Sequence, residues 1–428
     1  MSTLKTKTTQ TVKQDDKIIA PPLKLRDALV MSVLTLLVLL MAFGSKGYSV
    51  MSFQGATSWF AIPDLTLPAA ATSWGLGIAA ALFTAYAWKI TLDRKPVAGW
   101  ILGLVALFFV LSFLVWTVAG KTESVMPVVS LLVGGLTLAV PLIFGSLSGV
   151  ICERSGVINI AIEGQLLFGA FMGCAVASIA GNAYVGLLGS LFAGALVGVL
   201  LALFTIKFRT DHIIVGVVLN MLVLGLTSFL FSTVLKQHPE WNAPMPLGKI
   251  PLPLLKDIPV IGPVFFNQSI LVYLAYLAVI GLQFAIFNTR WGLRTRACGE
   301  HPKAADTVGI KVNKLRWMNV IAASALAGLG GAFFTLGQSL AFAKDMTAGN
   351  GFIALAAMIL GRWNPRGALG AALLFGFATN LASVMQSVGS PLPAEFMLML
   401  PYAVTVLAVA GFVGAVRAPA AEGKPYPA

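Results

Sequence analysis

Residues 151–171 read ICERSGVINIAIEGQLLFGAF. A long apolar run ends at Cys152, and the pair Glu153–Arg154 is followed by Ser155 and Gly156. A second apolar run then begins and carries Asn159, Glu163 and Gln165 inside it. An acid in an apolar segment of membrane length is costly, and such residues default to a functional hypothesis. The competing reading is that Glu163 sits near a helix N-terminus and offsets the helix dipole.

The composition around this stretch sets the class. The chain has 428 residues, 58% hydrophobic and 11% charged, where a soluble domain has about 25% charged residues. Apolar runs of around 20 residues recur along the chain, without the alternation of a membrane barrel. An all-α, polytopic membrane protein with 11–12 transmembrane segments is expected. Cys152, Cys174 and Cys298 have no framework spacing, so neither a disulfide nor a metal site is implied. A polar stretch precedes the first apolar run, which argues against a signal peptide.

Four parts are expected: a polar cytoplasmic tail (1–27), an N-terminal transmembrane extension (28–125), a membrane core (126–416) and a short polar tail (417–428). Apolar runs lie at 28–44, 74–91, 98–119, 126–151, 157–180, 184–206, 213–235, 269–288, 317–343, 352–361, 367–388 and 394–416. Gly194 and Gly198 have the spacing of a close helix contact. Loops at 45–73 and 236–268 are rich in turn formers, the second in proline.

The net charge of +13 raises nucleic acid as a partner, but its distribution excludes that reading. If every run crosses once from a cytoplasmic N-terminus, 23 of the 29 Lys and Arg fall on the inside. This is the positive-inside pattern, and it places both termini in the cytoplasm. The run at 352–361 is short for a span; a re-entrant path there would leave 19 inside.

The break at 153–156 has a counterpart. Lys344-Asp345-Met346-Thr347-Ala348-Gly349 also interrupts an apolar run, and NGFIALAAMILG resumes it. The topology puts the first break at the cytoplasmic face and the second outside, as an inverted repeat would. Interrupted segments at matching positions in two halves point to a transport path.

These residues resemble a known family. ERSGVINIAIEGQLLFGAF, RTDHIIVGVVLNMLVLGLTSFL (209–230), TRWGLRTRACGEHPKAADTVGIKV (289–312) and GFIALAAMILGRWNPRGALGAALLFGFA (351–378) resemble, in order, blocks of the ABC importer permeases for branched-chain amino acids, sugars and nucleosides. The likeness is nearest to the permeases of bacterial nucleoside importers of the guanosine type. It implies a multi-pass subunit of the bacterial plasma membrane, not itself an enzyme, that moves nucleosides with energy from a separate ATPase. It also implies a second, paralogous permease and an extracytoplasmic substrate-binding lipoprotein, which would dock near 236–268 and 45–73. The same machine for simple sugars or branched-chain amino acids is the alternative within the class. An ion-coupled secondary transporter is the alternative outside it.

No phosphate loop of the form GxxxxGK[ST] occurs in the chain, so no cofactor is expected here and ATP belongs to the partner. Under the resemblance, 289–316 is the ATPase-coupling loop, with Gly299, Glu300, Ala304, Ala305 and Gly309 as its key positions. Pro302 suits the first turn of a short helix, and Gly309 would end it. The candidates for the substrate path or gate are Asn159, Glu163, Gln165, Asn220, Gln338, Asn380 and Gln386. Their amides match the donors and acceptors of a nucleoside, and helix–helix hydrogen bonds are the competing role. Phe333, Phe334, Phe352 and Phe375 are candidates to stack on a base, against lipid contact or packing.

Overall fold

Apolar backbone in lipid must satisfy its own donors, and the chain does so as helices. A computed structural model describes residues 25–54, 59–60, 62–121, 124–389 and 417–427, with 393, 395, 396, 399 and 402. The order is α1 (Leu25–Gly44), β1 (Tyr48–Ser52), β2 (Leu65–Pro68), α2 (Ala69–Leu92), α3 (Gly99–Thr117), β3 (Val125–Pro127), α4 (Val128–Arg154) and α5 (Ile162–Ala180). There follow α6 (Ala183–Ala202), α7 (His212–Leu230), β4 (Lys249–Pro251), β5 (Asn267–Ser269), α8 (Ile270–Asn288), α9 (Arg290–Glu300), α10 (Pro302–Thr307), α11 (Val312–Ala332), α12 (Asn350–Leu360) and α13 (Pro365–Ser387). Helices α6, α7 and α11 each continue in a π-helical stretch, the last of them Phe333–Ser339. Ten of these helices are long and apolar enough to cross a membrane, among the described residues. The apolar run at 394–416 lies almost wholly outside those residues.

The chain divides into two compact units. The first holds residues up to Ser45 and Ala70–Trp116. In it the Thr35 and Thr84 hydroxyls meet at 2.8 Å, and Trp88 Nε1 donates to Ser32 Oγ at 2.8 Å. The second holds Lys46–Ala69 and everything from Thr117. The segment 46–69 goes with the core because β1 pairs in parallel with β3 just ahead of α4 (Val50 opposite Val125). The five strands among the described residues are short and lie between the apolar runs or at their edges.

The centre of the second unit is packed on small residues. A Cβ at Gly194 would sit on Ser324 O, and one at Gly169 or Gly328 would run into the facing backbone. Ser190 Oγ donates to Gly169 O at 2.8 Å. Lipid is as apolar as leucine, so close backbone approach and interhelical hydrogen bonds hold these helices together. The spacing at Gly194 and Gly198 thus joins α6 to α11.

Helix α11 starts at Val312, before the predicted 317. Lys314 and Arg316 are therefore helical, and Arg316 is buried because three backbone carbonyls surround its guanidinium. Helix α12 has only 11 residues, about 16 Å or half of a bilayer core. Its C-terminal end lies by Arg154, where Arg154 Nε donates to Trp363 O at 3.0 Å. The segment 340–360 is therefore irregular chain followed by a short helix whose far end lies beside Arg154.

Candidate functional site

The half-helix α12 and the longer α5 meet, start to start, at one carboxylate. Helix α5 begins after the irregular stretch 155–161, and α12 begins after 340–349. Neither N-cap, Ala161 or Gly349, supplies a side-chain cap. The caps come from elsewhere. The Glu163 carboxylate accepts from Gly349 N at 2.9 Å and Gly351 N at 2.5 Å, and so closes the N-terminus of α12. Asn220 Oδ1 accepts from Gly164 N at 2.8 Å, and its amide donates to Ile160 O at 2.9 Å. Glu163 thus lies at the positive ends of two helices, its own and α12, where a negative charge is stabilised.

Helix α4 gives the depth of this joint. A Cβ at Gly145 would lie 2.8 Å from Ala354 Cβ and 3.0 Å from Ile162 Cγ2. Gly145 is nine residues before Arg154, about 13 Å along the axis. The sequence reading set the two breaks on opposite faces; in the structure the first turn of α5, after one break, meets the start of α12, after the other, through Glu163. Irregular chain survives at this depth because protein groups satisfy it. Ile158 N donates to His212 Nδ1 at 3.2 Å and Phe342 N to Asn242 Oδ1 at 2.7 Å. Leu340, Asp345 and Ala348 have positive φ (53°, 55° and 44°), and strained backbone of this kind clusters at switch regions.

Two clefts flank the joint. One, of about 230 Å³, is lined by Phe333, Phe334, Gln338, Ser339, Asn350 and Thr379, with Pro141 opposite. Its wall is the π-helical stretch after α11, a distortion frequent at functional sites. The other, of about 290 Å³, is lined by Glu163, Asn220, Asp345, Gly349 and Phe352 with apolar residues of α5 and α7.

The remaining candidates lie elsewhere. Asn159 and Gln165 are fully buried and bonded to each other at 3.0 and 3.1 Å. Asn159 also reaches Ser148 at 3.1 Å, and Gln165 reaches Ser324 at 2.9 Å. Both therefore tie α4, α5 and α11 together and line neither cleft. Asn380 donates to Leu131 O at 2.8 Å across the α4–α13 contact. Gln386 is exposed near the end of α13, and Phe375 is buried in the core.

At the Arg154 end the charged loop forms α9 and α10. Pro302 occupies the first position of α10, His301 Nδ1 accepts from Ala304 N at 3.4 Å, and Gly309 follows with φ 83°. Gly299 packs its backbone on Arg154 O, where no Cβ fits. Ala305 is buried, whereas Glu300, Ala304 and Gly309 are exposed beside Val308. Burial pushes the Cys298 thiol up from its ordinary range. All three cysteines are free and buried, and no metal-binding cluster occurs among the described residues. Sequence reasoning missed Gly349 and Gly351 as partners of Glu163, although the Gly-Asn-Gly at the start of α12 was a signal. It also missed Trp363, whose Nε1 donates to Glu153 Oε2 at 2.5 Å.

Ten helices of membrane length among the described residues, with two interrupted apolar runs whose resumed helices meet at Glu163, define a polytopic membrane protein built like a transporter. The chain belongs to the branched-chain amino acid transport system / permease component family, whose model matches residues 131–409. It is 41% identical to the guanosine ABC transporter permease protein NupQ of Bacillus subtilis over 68% of this chain and 94% of that protein. It is also 41% identical to the nucleoside ABC transporter permease protein NupC of Lactococcus lactis, again over 68% and 94%. A second Bacillus subtilis protein, guanosine ABC transporter permease protein NupP, is 28% identical over 63% of this chain and 78% of its own length. No solved structure matches the chain.

Proposed function

We propose that the chain is the nucleoside-translocating permease subunit of an ATP-driven importer in a bacterial plasma membrane. The observation that carries this reading is 41% identity to guanosine and nucleoside permeases across 94% of their lengths. The ATP is hydrolysed by a separate cytoplasmic subunit that docks on α9 and α10, and the chain itself takes no cofactor. Both termini are cytoplasmic, as the basic residues indicate. A paralogous permease completes the complex. That NupP and NupQ are both guanosine permease proteins of one organism supports such a pairing.

The route passes the joint at Glu163, which gates it together with Asn220. In the adjoining cleft, Gln338 and Asn350 offer amides to base and ribose, and Phe333 and Phe334 offer ring faces. Asn159, Gln165 and Asn380 hold the helices around this route. On the far side, the loops at 45–73 and 236–268 meet, with Trp59 N donating to Asp257 O at 2.9 Å. Trp59, Phe60, Leu254 and Ile261 are exposed on them, and a substrate-loaded binding lipoprotein docks there. The test is uptake of labelled guanosine, adenosine, ribose and leucine by the reconstituted complex, with and without ATP. ATP-dependent uptake of a nucleoside is expected. Uptake without an ATPase subunit, or of ribose or leucine alone, would overturn the reading.

A further inference from the structure

The residues after the last membrane run have so far carried no role. Residues 417–427 fold onto the end of the second unit where α9, α10 and the break before α5 come together. Backbone bonds hold them: Ala421 N donates to Gly299 O at 2.8 Å and Gly423 N to Gly156 O at 3.1 Å. Ala421 is buried. The Tyr426 hydroxyl donates to Asp306 on α10 at 2.9 Å. Gly423 has φ 70°, and a Cβ there would lie 2.8 Å from Ile158 Cδ1. One short segment therefore grips the predicted coupling helix at one end and the break at the other.

A buried cation pins it. Arg316 is 1% exposed. Its Nε donates to Ser155 O at 2.9 Å, its Nη1 to Lys424 O at 2.9 Å, and its Nη2 reaches Cys298 O at 3.5 Å. Among the described residues it has no carboxylate within ion-pair distance. Ser155 caps the C-terminus of α4 and Cys298 lies in the last turn of α9, so two negative helix ends compensate the charge. The third acceptor belongs to the C-terminal segment. Removing it would leave a buried guanidinium donor unpaired, which is costly.

We propose that residues 420–426 are a strap that carries motion of α10 to the Glu163 joint, with Arg316 as its positioning residue. The strap rests on the reading of the chain as an ABC permease. A displacement of α10 pulls on Tyr426, then on Gly423 and Gly156. Residues 155–161 lead directly from there into α5, whose first turn holds Glu163. A segment that only supported the fold would change the yield of complex and leave the work done per ATP unaltered.

The test uses the whole complex in proteoliposomes, with nucleoside uptake and ATP hydrolysis measured together. Wild type is compared with a truncation after Arg417 and with Gly423→Val. Nucleoside moved per ATP is expected to fall about tenfold in the variants, the size of an ordinary coupling between sites, while the ATPase subunit still copurifies. A fall in Gly423→Val alone supports the strap even where the truncation does not assemble. An unchanged ratio in Gly423→Val overturns the strap, whether or not the truncation assembles. A wild-type complex with no ATP-driven uptake overturns the permease reading beneath it, and that is seen before any variant is made.

Discussion

Glu163 accepts two backbone donors of α12 from a position on α5, so one carboxylate decides whether the two helix starts stay joined. Hydrogen bonds to a charged group contribute about 1.5–3 kcal/mol, and a helix N-terminus adds up to ~2 kcal/mol in a partly buried site. Glu163→Ala should therefore lower uptake at least about tenfold, and Glu163→Gln less, because the amide keeps one acceptor. Gly351→Ala should match the alanine variant, since a Cβ there would sit on the Glu163 backbone. Equal uptake in all three variants would remove the joint from the mechanism. Glu422 gives a second prediction at this scale. It lies in the docked C-terminal segment, and burial pushes its carboxyl above the ordinary carboxylate range. The docked segment binds more protons than the free one, so docking is strongest below the ordinary value of 4.5 and weakens as pH rises through the docked value. Hydrogen exchange of the Ala421 and Gly423 amides, bonded to Gly299 O and Gly156 O, should accelerate with pH beyond its intrinsic pH dependence in wild type and lose that excess in Glu422→Gln. The acid at 163 was legible in the sequence as an expensive residue. Its partners were not, because they lie 186 and 188 positions away.

Among elements, legibility follows the range of the forces. Helix α10 was readable because a proline at its first turn and a glycine after its end are local signals. The partner of Gly194 and Gly198 was not, since small residues announce a contact without naming what fills it. The structure names α11, where Gly328 would drive a Cβ into Ser190 O. Gly328→Ala should lower the melting temperature of the purified protein in detergent, at an overpacking cost of about 1–3 kcal/mol. Gly370 on α13 is the control, because nothing lies within 4 Å of its Cβ position. There alanine should be neutral or stabilising, by about 1 kcal/mol from helix propensity. A common shift in both variants would mean that propensity, not the α6–α11 contact, dominates. The short strands between helices escaped sequence reading for a related reason. Their pairing, as of Val50 with Val125, is set by tertiary proximity rather than by alternation.

For the molecule as a whole, the break motifs and the basic residues make one prediction that can be tested without any substrate. The charge asymmetry predicts that Val308 faces the cytoplasm. Helix α11 and its π-helical extension run 28 residues from Val312 to Ser339, about 42 Å, so Ser339 must face the other side. Val308 and Ser339 are both exposed. With native cysteines removed, Val308→Cys should react with an impermeant thiol reagent only in inverted vesicles, and Ser339→Cys only in intact cells. Arg362→Cys should follow Val308→Cys, because 340–360 returns the chain to the Arg154 end, where Trp363 meets Glu153. That third site separates a crossing from a re-entrant loop, which the length of 352–361 left open. Labelling of position 362 from the outside would dismantle the mirrored arrangement. Helix α12 would then belong to a re-entrant loop, and the chain would not return to the Arg154 side at Trp363 as the Trp363–Glu153 bond requires.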